Sequence, residues 1–148
     1  MNLQELVGKS LDRVEPSAEA VCRLLDAVAR HIRDARVTVV SAETRFASAY
    51  TAIRMLADIG LHANGYRTRS SVPGHHILAI ESMASTFETE AKVIARLDHL
   101  RKLRNAIEYS GDLIPESAVK ECLAQAEALQ SRTRNWLGKH KPALMNST

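Results

Sequence analysis

Val93-Ile-Ala-Arg-Leu97-Asp-His99-Leu100-Arg101-Lys102-Leu-Arg104-Asn105-Ala-Ile107-Glu108-Tyr109-Ser-Gly111 spaces its apolar residues with the period of an α-helix. Val93, Leu97, Leu100 and Ile107 follow one another at steps of four, three and seven and define one stripe. Arg104 stands in the middle of that stripe, four residues after Leu100 and three before Ile107. A guanidinium cannot shed its charge, so on a buried face it is paired, lines a cleft or meets a partner. Arg101 lies one turn back and Glu108 one turn on, so a polar seam crosses the apolar face. The plain alternative is an arginine that snorkels past its neighbours or pairs with a carboxylate on another helix.

The sequence around this stretch reads as further helices. Ser17, after Pro16, is an N-cap signal, and Val21, Leu24, Leu25, Val28, Ile32 and Ala35 keep one face apolar to about Arg36. Val37-Thr-Val-Val40 is β-branched and marks a break or bend. A second helix runs from Ala42 to Leu61 over a core face of Phe46, Tyr50, Ile53 and Ala57. The stretch from Gly60 to Gly74 holds Asn64-Gly65 and Pro73-Gly74 and is the substantial loop. No alternating strands flank Asn64-Gly65, so a hairpin is not expected there. Ile77, Ile80, Ala84 and Phe87 mark a third helix from His75. Ser85-Thr-Phe-Glu88 has capping-box spacing and opens the fourth, which stops at Gly111. Pro115 opens a fifth through Val119, Cys122, Ala126, Leu129 and Leu137. The expected fold class is all-α, an antiparallel up-and-down bundle of four to five helices without a sheet. Residues 1–16 form a short or loosely docked lead-in, 17–138 a single helical-bundle domain, and 139–148 a basic, frayed tail.

Composition narrows the function classes. The chain has 148 residues, 45% of them apolar and 25% charged, which suits one globular domain. Aromatics are 4%, too few for a base-stacking surface. No run of 18 apolar residues exists, so no membrane span is expected, and the first residues lack the basic-then-apolar order of a secretory signal. Cys22 and Cys122 form no close-spaced motif; two reduced thiols in a cytoplasmic protein account for them. The net charge of +3 and pI near 9.1 tolerate RNA or an acidic partner without requiring either. There is no P-loop, no Gly-x-Gly-x-x-Gly, no nucleophile elbow and no His-Glu-x-x-His, and no cofactor is expected. His75 and His76 are adjacent and point to different faces, so they do not chelate a metal together. Arg67, Arg69, Arg101, Lys102 and Arg104 make a candidate phosphate-facing patch; a solvated loop and helix face explain them equally well.

The fourth helix, ending in Arg104-Asn105-Ala-Ile-Glu108-Tyr109, resembles the signature of HEPN domains, small helical bundles of prokaryotic toxin–antitoxin and defence systems. That signature is an arginine, often followed by asparagine, with a histidine four to six residues later. The second helix, from Arg45-Phe46 to Gly65-Tyr-Arg67, is similar to that of some members, and the likeness covers about residues 40–137. It implies a homodimer, or a complex with a small nucleotidyltransferase-type or antitoxin partner. In active members a cleft between two protomers cuts RNA without metal, the arginine meeting phosphorane charge and the histidine moving protons. Arg104 and Asn105 match; Tyr109 stands where histidine is expected. Some members end the motif in tyrosine and bind or scaffold rather than cleave.

A phenol, with a reference pKa near 10, is a poor base at neutral pH. On an ideal helix Arg104 and Tyr109 also lie about 140° apart, whereas Asn105 and Tyr109 share a face. Tyr109 has a second reading, as a core or helix-end residue anchoring the turn at Gly111. His75 or His76 can supply the missing proton-transfer group from another helix, although ordinary surface histidines explain them too. The expected function is a HEPN-like protein of a toxin–antitoxin or defence system. Its Arg101–Tyr109 seam, with Lys102, Glu108 and Arg67, docks a protein, a nucleotide or RNA without efficient catalysis. The alternative is a metal-independent RNA endonuclease using Arg104, with Asn105 and Tyr109, between protomers.

Overall fold

A computed structural model of the chain describes residues 2–146. Five helices carry it: α1 (Ala18–Ala35), α2 (Ala42–Ala63), α3 (His75–Thr86), α4 (Ala91–Ser110) and α5 (Glu116–His140). The all-helical reading holds in its main part. The Ser17 hydroxyl caps α1 by accepting from Ala20 N at 3.2 Å, while Ser17 N donates to His62 Nε2 at 3.0 Å. The start of α1 is thereby tied to the end of α2. Residues 37–40 break the chain between these helices, as their branched side chains suggest, and Ser41 caps α2.

Helix α2 is the axis of the molecule. It packs on α1, α5 and α3, and more sparsely on α4. Phe46, Ala49, Tyr50, Ile53, Leu56, Ala57 and Leu61 are all buried, so its apolar surface runs well beyond one stripe. Gly60 lets the end of α3 come close: a Cβ there would meet Phe87 Cζ and Thr86 Oγ1 at 2.8 Å. By contrast α4 buries only Leu97 and Leu100 completely, leaving Val93, Ile94, Leu103 and Ile107 half-covered.

Four expectations need correction here. A two-stranded antiparallel sheet joins β1 (Leu11–Arg13) to β2 (Tyr66–Thr68), with Leu11 opposite Thr68 and Arg13 opposite Tyr66. Strands of three residues are too short to display alternation, and the partners lie far apart in sequence. The lead-in is therefore docked, with Leu3 and Leu11 in the core. The Ser85–Glu88 spacing is not a capping box either. Ser85 sits inside α3, Glu88 takes a left-handed φ of 54°, and α4 begins after Glu90. On α3 the buried face runs through Ala79, Ile80 and Met83, while Ala84 is exposed.

The tail is also more ordered than its composition suggests. Helix α5 continues to His140, and Pro142–Met145 forms a 3₁₀ turn whose Leu144 and Met145 pack on the core. The Cys22 thiol donates to Met145 O at 3.9 Å. Met1, Ser147 and Thr148, the outer ends of the lead-in and tail, lie outside the described residues. Among the described residues no helix is long and apolar enough to cross a membrane.

Candidate functional site

The seam on α4 is built turn by turn. Leu97 and Leu100 anchor the helix in the core. Arg101, its side chain 12% exposed, donates from Nε to Asp98 at 2.8 Å, and Lys102 reaches the same carboxylate at 3.4 Å. Burial opposes charge on Asp98, yet the hydrogen bonds and charges of Arg101 and Lys102 outweigh it and hold the carboxyl below its ordinary range. One turn further the Arg104 side chain is 25% exposed. Its Nη2 meets Glu108 at 3.1 Å, and its guanidinium carbon lies 5.2 Å from the centre of the Tyr50 ring. Arg104 Nε is buried and has no hydrogen-bond partner.

Arg104 also borders a cavity of about 250 Å³ between α2 and the end of α4, walled by Phe46, Ala47, Ile107 and Ile114. Glu43 fixes one edge of it by accepting from Ile114 N at 3.3 Å. Gly111 closes α4 in a left-handed conformation, φ 72°, its N–H bonded to Ile107 O at 2.9 Å.

Tyr109 does not belong to this arrangement. It is 91% exposed, which removes the reading of a core or turn-anchoring tyrosine. Helix α4 runs unbroken to Ser110, so Arg104 and Tyr109 stay on separate sides. Asn105 is half-buried beside Arg104 in sequence. Glu108 is in the seam as the partner of Arg104. Arg67 is not: it lies on β2, paired opposite Asp12, and lines a cavity with Asp58 and His62 at the far end of α2. Arg69, whose Nε bonds Asp12 at 2.8 Å, is likewise committed to the small sheet. His99 is exposed on α4. Among the described residues no three His, Cys, Asp or Glu side chains gather where they could hold a metal ion. Burial pushes the Cys122 thiol up to about 12, which disarms it as a nucleophile.

Other polar groups lie near the seam and along α2 from it: Tyr50, read from the sequence as core, and Arg54 and Asp58, which the sequence reading did not single out. Tyr50, Arg54 and Asp58 follow at steps of four along one face of α2. Tyr50 is buried and its hydroxyl has no partner; burial pushes the phenol up to about 12 against the opposing pull of Arg104, Arg101 and Arg54. Arg54 Nη1 meets Asp58 at 3.5 Å. Burial raises the Asp58 carboxyl to about 6, with Arg54 and His75 opposing. At the start of α3 the His75 and His76 rings stand edge to face, 4.2 Å apart. His75 Nδ1 lies 3.2 Å from Val72 O, which assigns it the donor role. Burial, His75 and the three arginines Arg54, Arg104 and Arg101 push His76 down to about 4. The sequence signal was the i, i+4, i+8 row on α2; its partners on α3 and α4 are set by packing alone.

No family model, no curated protein and no solved structure matches this chain.

Proposed function

We propose that the chain is a HEPN-like helical protein of a toxin–antitoxin or defence-type system whose α4 seam docks RNA or a nucleotide without efficient cleavage. The observation that carries this reading is the placement of Arg104. It is half-buried against Tyr50 and Glu108 beside an open cavity, while Tyr109 projects into solvent from another side. Within one chain the arginine and the phenol do not converge on one phosphate, so the seam suits binding better than acid–base chemistry.

A second copy of the chain fits as the partner. Cavities of about 430 and 250 Å³ meet at Ala47 on the outer face of α2. Val37 and Val40 line the larger, and exposed Leu113 sits between Asp112 and Ile114 of the smaller. With Val39 and Tyr109 these are the exposed large apolar residues of the described chain. A dimer across this face would cover Val37, Val40 and Leu113. It would also set two Arg104 cavities near each other, and that favours the second reading, a metal-independent RNA endonuclease acting between protomers. A nucleotidyltransferase-type or antitoxin protein on the same face is the competing occupant.

Short single-stranded RNA titrated into purified protein, read by anisotropy and by denaturing gel, tests these readings together. Docking requires RNA binding without cleavage, and at least tenfold weaker binding by Arg104→Ala. Cleavage lost in Arg104→Ala supports the nuclease instead. Cleavage unchanged in Arg104→Ala defeats both. Light scattering at twice the 16.3 kDa chain mass is the result expected of the dimer, and scattering at the chain mass rejects it.

A further inference from the structure

We infer that the Arg67–Arg69 face of the β ribbon holds the phosphoryl group of a small phosphomonoester, whose body enters the adjoining cavity beside Leu24 and Tyr66. This site lies at the opposite end of α2 from the Arg104 cavity and stands apart from the α4 seam.

The register of the ribbon sets the face. Asp12 stands directly opposite Arg67, so their side chains leave the ribbon on one side. The ladder continues one step past β2, where Arg69 N donates to Ser10 O at 3.0 Å. Arg69, two residues after Arg67, therefore shares that side. Its guanidinium is fixed before any ligand arrives. Nε donates to Asp12 at 2.8 Å, and Nη1 reaches Gly8 O at 3.0 Å and Lys9 O at 3.4 Å. Its Nη2 has no partner among the described residues. Arg67 is exposed and enters no ion pair among the described residues. Both arginines line a cavity of about 590 Å³ whose wall holds one carboxylate, Asp12. Two guanidiniums against one carboxylate favour an anion and repel a metal ion or an amine.

Hydroxyls and amides complete the wall. Arg69 O accepts from Val72 N at 3.0 Å, which turns the chain and leaves Ser70 and Ser71 exposed at the tip. Their backbone N–H groups meet no acceptor among the described residues. Both serines line the same cavity as the arginines, together with Thr68. A guanidinium edge, hydroxyls and turn amides are the donors that a phosphoryl oxyanion takes.

The second cavity says what the phosphoryl group is attached to. It measures about 280 Å³ and shares Arg67 and Thr68 with the first. Its other walls are Leu24, Asp58, His62 and Tyr66. Leu24 and Tyr66 offer apolar surface, which the larger cavity lacks. His62 Nε2 accepts from Ser17 N at 3.0 Å, so the neutral ring carries its proton on Nδ1. A carboxylate acceptor and imidazole and phenol donors thus stand beside an apolar wall. A ring body with both donors and acceptors, as in a nucleoside, matches that lining better than a bare anion does.

Inorganic phosphate and adenosine 5′-monophosphate, titrated into the full chain at constant pH and ionic strength and read by amide spectra, test both parts. Both probes should shift the Ser70 and Ser71 amides to saturation, the nucleotide with affinity about tenfold higher. Arg67→Gln should lower both affinities about tenfold, the loss expected of a charge-assisted hydrogen bond. Arg30→Gln removes an exposed α1 arginine that has no ion pair among the described residues, and should change neither. Asp12→Asn should raise phosphate affinity about threefold, because the amide oxygen still accepts from Arg69 Nε while the opposing charge is gone. A purely structural role for Asp12 gives the opposite sign. Shifts that chloride reproduces, or that fall outside residues 67–71, overturn the site. So does equal weakening by Arg30→Gln and Arg67→Gln, or weaker phosphate binding in Asp12→Asn. Nucleotide binding no tighter than phosphate removes the body from the second cavity and makes the ligand a free anion. Loss of RNA docking in Arg104→Ala with unchanged phosphate binding separates the two sites.

Discussion

Arg45 and Arg104 both interrupt apolar stripes, and the molecule treats them in opposite ways. Arg45, 7% exposed, donates from Nε to Ala35 O at 3.1 Å and from Nη1 to Glu116 at 2.8 Å. Both partners lie on other elements, so this guanidinium clamps the end of α1 and the start of α5 to α2. Arg104 has its ion-pair partner on its own helix, one buried N–H unmet, and a cavity at its side. A buried charge whose bonds cross between elements is part of the frame. One whose bonds stay local, over an open cavity, is free to meet something else. Arg45 is the more deeply buried of the two, and the direction of the bonds differs with it.

The largest effect is expected from Arg45→Ala. It strips partners from a carbonyl and a carboxylate and opens space at a three-element contact, and it should cost about 3 kcal/mol in urea denaturation. A loss below about 1 kcal/mol would erase the contrast with Arg104. Next comes Gly60→Ala on the same helix. Its new Cβ would press on Phe87 at 2.8 Å, for a cost of about 1–3 kcal/mol.

Asp58→Asn should act through pH. The folded carboxyl titrates near 6, above its reference value of 3.8, so folding favours its protonated form. That advantage is whole below the reference value and gone above the folded one. The asparagine protein should therefore gain stability relative to wild type above pH 6 and lose that gain towards pH 4. Thermal melts across that range check it, and a gain independent of pH would contradict the raised carboxyl.

The smallest changes in stability are expected at the seam. Arg104→Ala should cost about 1 kcal/mol or less, because its ion pair is a local i, i+4 contact with a largely solvated Glu108. Tyr109→Ala should stay within about 0.5 kcal/mol, since nothing covers the ring. Near-native melts with lost ligand binding in Arg104→Ala would sharpen the distinction drawn from Arg45. A collapse of the fold would end it.

The same distinction separates what the sequence reveals from what it hides. Some local signals held. Ser17 caps α1, and Gly111 ends α4 as its position suggests. Pro115 stands at the opening of α5, at the cap itself rather than inside the first turn. Pairings between distant segments left no local trace. The β1–β2 contact, the reach of Arg45 to Glu116 and the stacking of Arg104 on Tyr50 all depend on how the elements pack. Arg104 was visible because one position violated a period; Arg54 and Asp58 were not, because a polar row on a helix usually faces water. Ser85–Glu88 misled because three-residue spacing recurs by chance inside a helix, where Ser85 lies.

The short β ribbon has a kinetic consequence. Leu11 and Thr68 are separated in sequence by α1 and α2, so their contact closes a long loop of chain. Helices assemble from neighbours in sequence, whereas such a clasp waits for them. The ribbon should be among the last parts to form and the first to open. Amide protons of β1 and β2 should then exchange with solvent sooner than those of α2, whose release requires the whole bundle to come apart.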